Sequence, residues 1–445
     1  MCFLNARSVS KGGWVKRREW VLLVVLISSA YLAHVELGMR PLSSWDMGDF
    51  SSYYFAGVGF QHGLDVYNFH LLSRLGSMLG GVYPYLYPPP LAFYIAPLSL
   101  LLIHKAAIIW LSMLVLIGVF VVVNAYLVSL DWRDGMNSQK PLVLLVLTVL
   151  LLGVLPFGNN LLVGQVNILV LAFMSAAFLQ SMIYKRDVLA GFLLAPAVLI
   201  KVTPLGFLLF FVMNRRYRTL YGFAIGLMVF AAPTLLHTGG LLAWKNFLQL
   251  SSAMGYGKTI PGLFSPASPM NLSIAGCVAR FVRNPLLAGW VTVGVLGVLG
   301  CVLLMQHYRL AKRGQGEWML LSYSVLMVIG APYAYLHHVI YIFPGLLLCC
   351  AGLVMKGSQL SFISLFLLLV LAVIAGTDFP LYYNRLGLDA TALRSLNLYA
   401  LLGLFVLGLV LPTRLALSTP VETTENDGSR MLLPDVQYDR KEMAD

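Results

Sequence analysis

Residues 185–216 read KRDVLAGFLLAPAVLIKVTPLGFLLFFVMNRR, an apolar stretch closed at both ends by basic pairs and interrupted by Lys201–Val202–Thr203–Pro204. One continuous span would put Lys185–Arg186 and Arg215–Arg216 on opposite faces of a membrane. Two shorter helices, broken at Lys201–Pro204, keep both pairs on the cytoplasmic side, where short basic loops belong. Proline supplies the break, because it donates no hydrogen bond and the residue before it resists helical geometry. Lys201 then stands at the external tip. A single kinked span is the alternative.

The same logic extends along the chain. Lys11, Lys16, Arg17 and Arg18 precede the first apolar run, Trp20 to Gly38, so the N-terminus is expected inside and the first span runs outward. No small-residue cleavage site follows that run, which is expected to remain as a helix. Tyr87–Pro88–Pro89–Pro90 to about Leu102 is short for a span and carries four prolines with Pro97. It reads as an interfacial or re-entrant helix that ends a long first external loop, 39–104. The next span, about 106–130, returns inward and makes 131–140 a cytoplasmic loop. Basic residues at Arg309, Lys312, Arg313, Lys356 and Arg414 also fall inside. The result is an all-α, polytopic membrane protein of about twelve transmembrane helices. A cytoplasmic N-terminus covers 1–19, the transmembrane domain 20–411, and a polar cytoplasmic tail 412–445 whose composition predicts disorder.

Composition agrees with this class. Of 445 residues 59% are hydrophobic and 11% charged, which excludes an ordinary soluble globule. The formal net charge of +12 is spread over short loops, as orientation signals are, and gives no nucleic-acid footprint. Cys2, Cys277, Cys301, Cys349 and Cys350 have neither disulfide-framework nor zinc-site spacing.

In this topology the external segments are 39–104, 158–165, 201–204, 237–285, 332–337 and 377–392. The unusual polar residues gather there: Asp46, Asp49, Asn159, Asn160, Gln165, Asn167, Lys201, Asn271, Arg280, His337 and His338. Random placement would scatter them over both faces, so their convergence points to a site. Acid is scarce, and Asp46 and Asp49 sit at a membrane exit beside Trp45, Phe50, Tyr53 and Tyr54. Either could serve as a general base, its proton affinity raised by burial among the rings, or could be a solvated loop acid. Gln165 and Asn167 open an apolar span; amides both donate to and accept from sugar hydroxyls, though capping by Asn159 or Asn160 explains a polar start equally well. Lys201 is costly in apolar surroundings unless it snorkels or meets an anion such as phosphate. Adjacent His337 and His338 point in different directions, so at most one is expected to face a site; with no matching ligands elsewhere, hydrogen bonding to phosphate or sugar suits them better than a metal, and an interfacial histidine among aromatic neighbours is the alternative. Arg280 and Arg283 suit phosphate or lipid headgroups. Tyr53, Tyr54, Tyr83, Tyr85 and Tyr87 suit sugar stacking, or simply a membrane interface.

Taken in order, these motifs resemble a family. Asp49–Phe50 with Tyr53–Tyr54–Phe55–Ala56–Gly57, then Gly63–Leu64–Asp65–Val66–Tyr67–Asn68, is similar to the first external loop of C-type glycosyltransferases of family 87. Tyr87–Pro88–Pro89, Ala96–Pro97–Leu98, Gly164–Gln165–Val166–Asn167, Lys201–Val202–Thr203–Pro204 and Pro332 to His338 continue the resemblance over roughly residues 20–350. That family includes polyprenyl-phosphate-mannose-dependent mannosyltransferases. The resemblance implies an inverting hexosyltransferase of a bacterial-type plasma membrane, with its site on the external face. The donor would be a polyprenyl-phosphate sugar, the acceptor a glycolipid or glycan. Asp49 is the implied base, with Asp46 second. Lys201, His338, His337 and Arg280 would meet the donor phosphate, and Tyr53, Tyr54, Gln165 and Asn167 the sugar or acceptor. The second external loop offers amides and no acid, which speaks against a carboxylate-bound metal, and no cofactor is expected beside the lipid-linked donor. The rival class is a transporter or flippase, for which a broken helix with a lysine would form the substrate site; no internal repeat supports it.

Overall fold

The computed structural model describes residues 48–76, 82–131, 151, 153, 155–259, 265–356, 358–379 and 395–416. The first apolar run, Trp45, Asp46, the loop 132–140, most of 377–392 and the tail beyond 416 lie outside these residues. The described chain is all helical, with no strand among its residues.

In chain order the helices are α1 (Gly48–Gln61), α2 (Phe69–Leu75), α3 (Pro89–Ile95), α4 (Ile103–Asp131), α5 (Phe157–Leu162), α6 (Asn167–Phe178), α7 (Asp187–Ile200) and α8 (Phe207–Met213). They continue as α9 (Arg218–Leu236), α10 (Gly240–Ala253), α11 (Ile274–Phe281), α12 (Pro285–Ala311), α13 (Leu320–Ile329), α14 (Phe343–Lys356), α15 (Gln359–Gly376) and α16 (Leu396–Ala416). Short 3-10 turns at Ala96–Leu100, Thr203–Gly206 and Leu336–Ile342 extend α3, α8 and α14. Five helical stretches among the described residues are long and apolar enough to cross a membrane: Ile103–Val121, Arg218–Leu236, Pro285–Ala311, Leu336–Val354 and Gln359–Gly376. Helix starts follow local chemistry. Asn284 Oδ1 accepts from the amides of Leu286 and Leu287 at 3.0 and 3.2 Å with Pro285 in the first turn, and Ser273 Oγ accepts from Gly276 at 3.0 Å.

The stretch 185–216 does reverse. α7 and α9 run parallel: Gly222 packs on Val188, and Gly226 on Phe192 and Ala195. The chain must therefore come back between them, and α8 is the returning piece. Lys201 sits at the reversal in extended geometry (φ −149°, ψ 121°). The two basic ends meet, since Arg216 Nη1 lies 3.0 Å from Asp187 Oδ1 and donates to Ser181 O at 2.7 Å. Glu317 joins from the α12–α13 turn, bonded to Arg216 Nη2 and 3.7 Å from Lys185 Nζ.

The proline-rich run is likewise short. α3 and its 3-10 turn lie against α1, where Gly57 leaves room for the Ala96 backbone and Gln61 Nε2 donates to Ala96 O at 2.8 Å. Tyr54 Oη donates to Leu101 O at 2.6 Å, and Tyr85 Oη to Pro88 O at 2.8 Å. Residues 48–76 and 82–101 thus form one packed cap, reaching α9 through Tyr94 Oη to Phe230 O at 3.1 Å.

Candidate functional site

The turn before α6 fixes the site. Gly164 has φ +67°, open to glycine and strained for other residues. A side chain there would meet Phe50 Cβ at 2.7 Å, while Trp110 Nε1 donates to Gly164 O at 2.7 Å and Phe50 N to Val163 O at 3.3 Å. Gly164 therefore clamps the first turn of α1, which carries Asp49, against Gln165. Backbone N–H groups of a first helical turn favour a negative charge. Gly164→Ala is expected to lose about 1–2 kcal/mol from backbone strain alone, lowering Tm, and to lower turnover by moving Asp49. Unchanged melting and turnover would show that this turn does not hold the two together.

Gln165 is buried, and its Oε1 accepts from three donors: Tyr53 Oη at 2.5 Å, Val166 N at 3.1 Å and Tyr87 Oη at 3.2 Å. That fixes the amide's orientation. Its NH2 faces the cavity and His337 Nε2, 3.4 Å away. Burial, with the Asp49 carboxylate adding to it, pushes both the Tyr53 and the Tyr87 hydroxyl up, so both remain donors. Asn167 is buried and saturated. Its Nδ2 donates to Asn160 Oδ1 at 2.9 Å and His337 O at 3.1 Å, and its Oδ1 accepts from Lys201 Nζ at 2.9 Å and from Tyr341 Oη.

Lys201 completes the cluster. Its Nζ lies 2.5 Å from His338 Nε2, with the Tyr87 and Tyr341 ring centroids 5.4 and 6.0 Å away. Tyr335 N donates to His338 Nδ1 at 2.9 Å. A neutral ring whose Nδ1 accepts carries its hydrogen on Nε2, and only an uncharged amine can accept that hydrogen. The environment agrees: burial pushes the Lys201 ammonium down to about 7, with Asp49 pulling the other way.

A cavity of about 1000 Å³ opens over this cluster. Asp49, Tyr87, Asn159, Gln165, Lys201, His337 and His338 line its polar head, so both histidines reach the cavity where at most one was expected. Leu209, Leu296, Leu303, Leu304, Leu326 and Met327 continue it as an apolar channel between α8, α12 and α13.

Several expected residues are placed otherwise. Arg280 does not line the cavity: its guanidinium donates to Ser268 O at 2.9 Å, Asn271 O at 3.2 Å and Ser395 Oγ at 3.0 Å, and so ties α11 to the start of α16. Tyr54 is turned to the backbone of the 3-10 turn, away from the cavity. Tyr53 and Asn167 stand behind the wall, fully buried, orienting Gln165 and Lys201. Asn271 is structural: it accepts from Ala334 N at 3.0 Å and donates to Pro332 O at 3.2 Å, and so holds the approach to His337. Arg283 is not among the described residues that line the cavity, and Asp46 lies outside the described residues. The sequence reading passed over Tyr335, Tyr256 and Asp378, all of which line the cavity. Asp378 carried a usable signal, an acid just past an apolar helix.

Comparison with known proteins gives the family. The sequence model of glycosyltransferase family 87 matches residues 85–332, more than half the chain and the stretch that holds Tyr87, Asn159, Gln165 and Lys201. A polyprenol-phosphate-mannose-dependent alpha-(1-2)-phosphatidylinositol mannoside mannosyltransferase of Mycobacterium tuberculosis (strain ATCC 25618 / H37Rv) is 23% identical over 345 residues, covering 75% of this chain and 76% of that protein. No solved structure matches the chain. With apolar helices of bilayer length, a channelled cavity headed by acid, amides and amine, and a match that spans most of that head, this chain belongs to glycosyltransferase family 87 and is a multi-pass membrane glycosyltransferase.

Proposed function

We propose that the protein transfers a hexosyl group, mannosyl first among the candidates, from a polyprenyl-phosphate donor to a glycolipid or glycan acceptor, with inversion and with Asp49 as general base. The observation that carries this reading is one cavity with a Lys201–His338–Gln165 donor cluster at its head and an apolar channel leading away from it. A lipid monophosphate sugar has that same shape: a prenyl chain for the channel, a phosphate for the hydrogen-bond donors of the head, and a sugar projecting toward Asp49. The related mannosyltransferase, named for its dependence on polyprenol-phosphate mannose, supports the donor class.

A hydroxyl is a weak nucleophile at neutral pH, so Asp49 takes its proton as the new bond to the anomeric carbon forms. The old bond to the phosphate oxygen breaks, and the phosphate leaves with an added negative charge. Lys201 Nζ, Gln165 Nε2 and an imidazole of the His337–His338 pair donate to that charge in a site where few waters compete. Such a leaving group needs hydrogen-bond donors and no metal. In this reading the transferase domain covers 20–411 with about twelve crossings, both termini are cytoplasmic, and the long first loop and the cavity head face outward.

The test is incubation of purified protein in vesicles with polyprenyl-phosphate mannose and candidate glycolipid acceptors, followed by linkage analysis of the product. Success with another sugar only would remove mannose and keep the mechanism. Donor movement across the vesicle without transfer would replace the enzyme by a flippase.

The resting amine at Lys201 predicts a pH dependence. An anion bound beside it favours the ammonium, so its pKa rises on binding and a proton is taken up above about pH 7. Donor KM is therefore expected to rise by up to about tenfold per pH unit above that point. Arginine stays charged throughout, so Lys201→Arg should flatten the rise whatever its absolute rate. An equally steep rise in that variant would assign the titration to another group.

A further inference from the structure

A second cavity, of about 470 Å³, lies at the opposite end of α7 from Lys201. Lys185, Arg186, Asp187 and Arg218 surround its mouth, and Val188, Leu189, Phe192 and Ile225 form its walls. Its floor is Gly222, packed so closely on the Val188 backbone that no side chain could fill the slot from below. The Phe192–Phe230 ring pair, 5.3 Å between centroids, stands at the far end. From Arg218 to Ile225 the slot runs about two helical turns, roughly 10 Å.

The charges at the mouth do not balance. Asp187 is taken by Arg216 at 3.0 Å and by Ser181 Oγ at 2.7 Å, and Lys185 leans toward Glu317 at 3.7 Å. Arg186 and Arg218 have no carboxylate partner among the described residues. Arg186 lies over the Tyr184 ring, 5.8 Å from its centroid. Two exposed guanidiniums thus stand above an apolar slot whose walls Val188 and Leu189 are themselves exposed.

We infer that this slot is a specific site for one anionic glycerophospholipid, its phosphate between Arg186 and Arg218 and the upper part of one acyl chain between α7 and α9. Charge complementarity selects the headgroup, because a zwitterionic lipid brings its own cation to two guanidiniums. The apolar slot selects a lipid over free phosphate, and basic pockets between helices at a cytoplasmic membrane face have this character. The site is separate from the transfer cavity and does not depend on which sugar is moved.

Native mass spectrometry of the full-length protein in detergent tests it, with dioleoyl phosphatidylglycerol and dioleoyl phosphatidylcholine as probes. Wild type is expected to hold one phosphatidylglycerol at concentrations where phosphatidylcholine is not retained. Arg186→Gln combined with Arg218→Gln removes two cations from an exposed rim and should weaken binding about thirtyfold, the scale of two basic residues at a membrane surface. Ile225→Trp fills the slot while keeping both charges and should weaken binding comparably. Equal retention of the two lipids by wild type, or undiminished phosphatidylglycerol in the double variant, overturns the inference. Displacement of the lipid by inorganic phosphate alone overturns the acyl-chain half of it. Because the readout is bound lipid, a failed transferase assay leaves this result unaffected.

Discussion

Asp49→Asn is expected to abolish glycosyl transfer while leaving the protein folded. A positioned general base contributes about 10²–10⁴-fold, and the variant should fall at least to the bottom of that range in kcat at every pH. Asparagine keeps the shape of the side chain and can no longer take a proton. The clamp beneath it does not involve the carboxylate, since Phe50 N to Val163 O and Trp110 Nε1 to Gly164 O hold the turn. Melting temperature and donor binding should therefore stay close to wild type, and radiolabelled transfer should be lost. A fully active Asp49→Asn protein beside a dead Asp46→Asn protein would move the base to Asp46.

Lys201→Met should separate activity from stability. Removing a donor aimed at developing charge in a secluded site costs about 10²–10³-fold, so kcat/KM for the donor should fall by that much. Folding should move the other way or not at all. A half-buried amine among Asn167, His338, Tyr87 and Tyr341 is there against a desolvation cost, and an apolar chain of similar length avoids that cost. Loss of activity with raised or unchanged Tm identifies a residue kept for chemistry. Equal loss of both would make Lys201 a structural strut of the α7–α8 reversal.

The fold was most legible where sequence imposes hard constraints. Proline at 204 and basic pairs at 185–186 and 215–216 leave the chain few ways to run, and the reversal at Lys201 follows. The four prolines at 88–90 and 97 likewise forbid a full span. Asp49, Gln165, Lys201 and the histidine pair were legible as a group because each is expensive in its apolar setting, and the structure brings them to one cavity head. Roles within the group were harder to read. Whether an amide or tyrosine faces the cavity or backs the wall depends on partners far away in sequence. Tyr53 is turned inward by Gln165, 112 positions on. Arg280 is drawn off by Ser395, 115 positions away, and by backbone oxygens of its own loop. Local composition is identical for a phosphate ligand and a loop tie. Asp378 escaped notice although Phe379, Tyr382 and Tyr383 follow it at the spacing at which Phe50, Tyr53 and Tyr54 follow Asp49.

The half-height helix α8 has a kinetic meaning. With Leu209 of that short helix, Leu303 of α12 and Leu326 of α13 lining the channel, a prenyl chain under the proposed reading moves sideways out of the bilayer and never enters water. Encounter is then a search in two dimensions. The quantity that sets the rate is the number of donor molecules per area of membrane, so diluting the vesicles changes nothing while diluting the donor with inert lipid slows the enzyme.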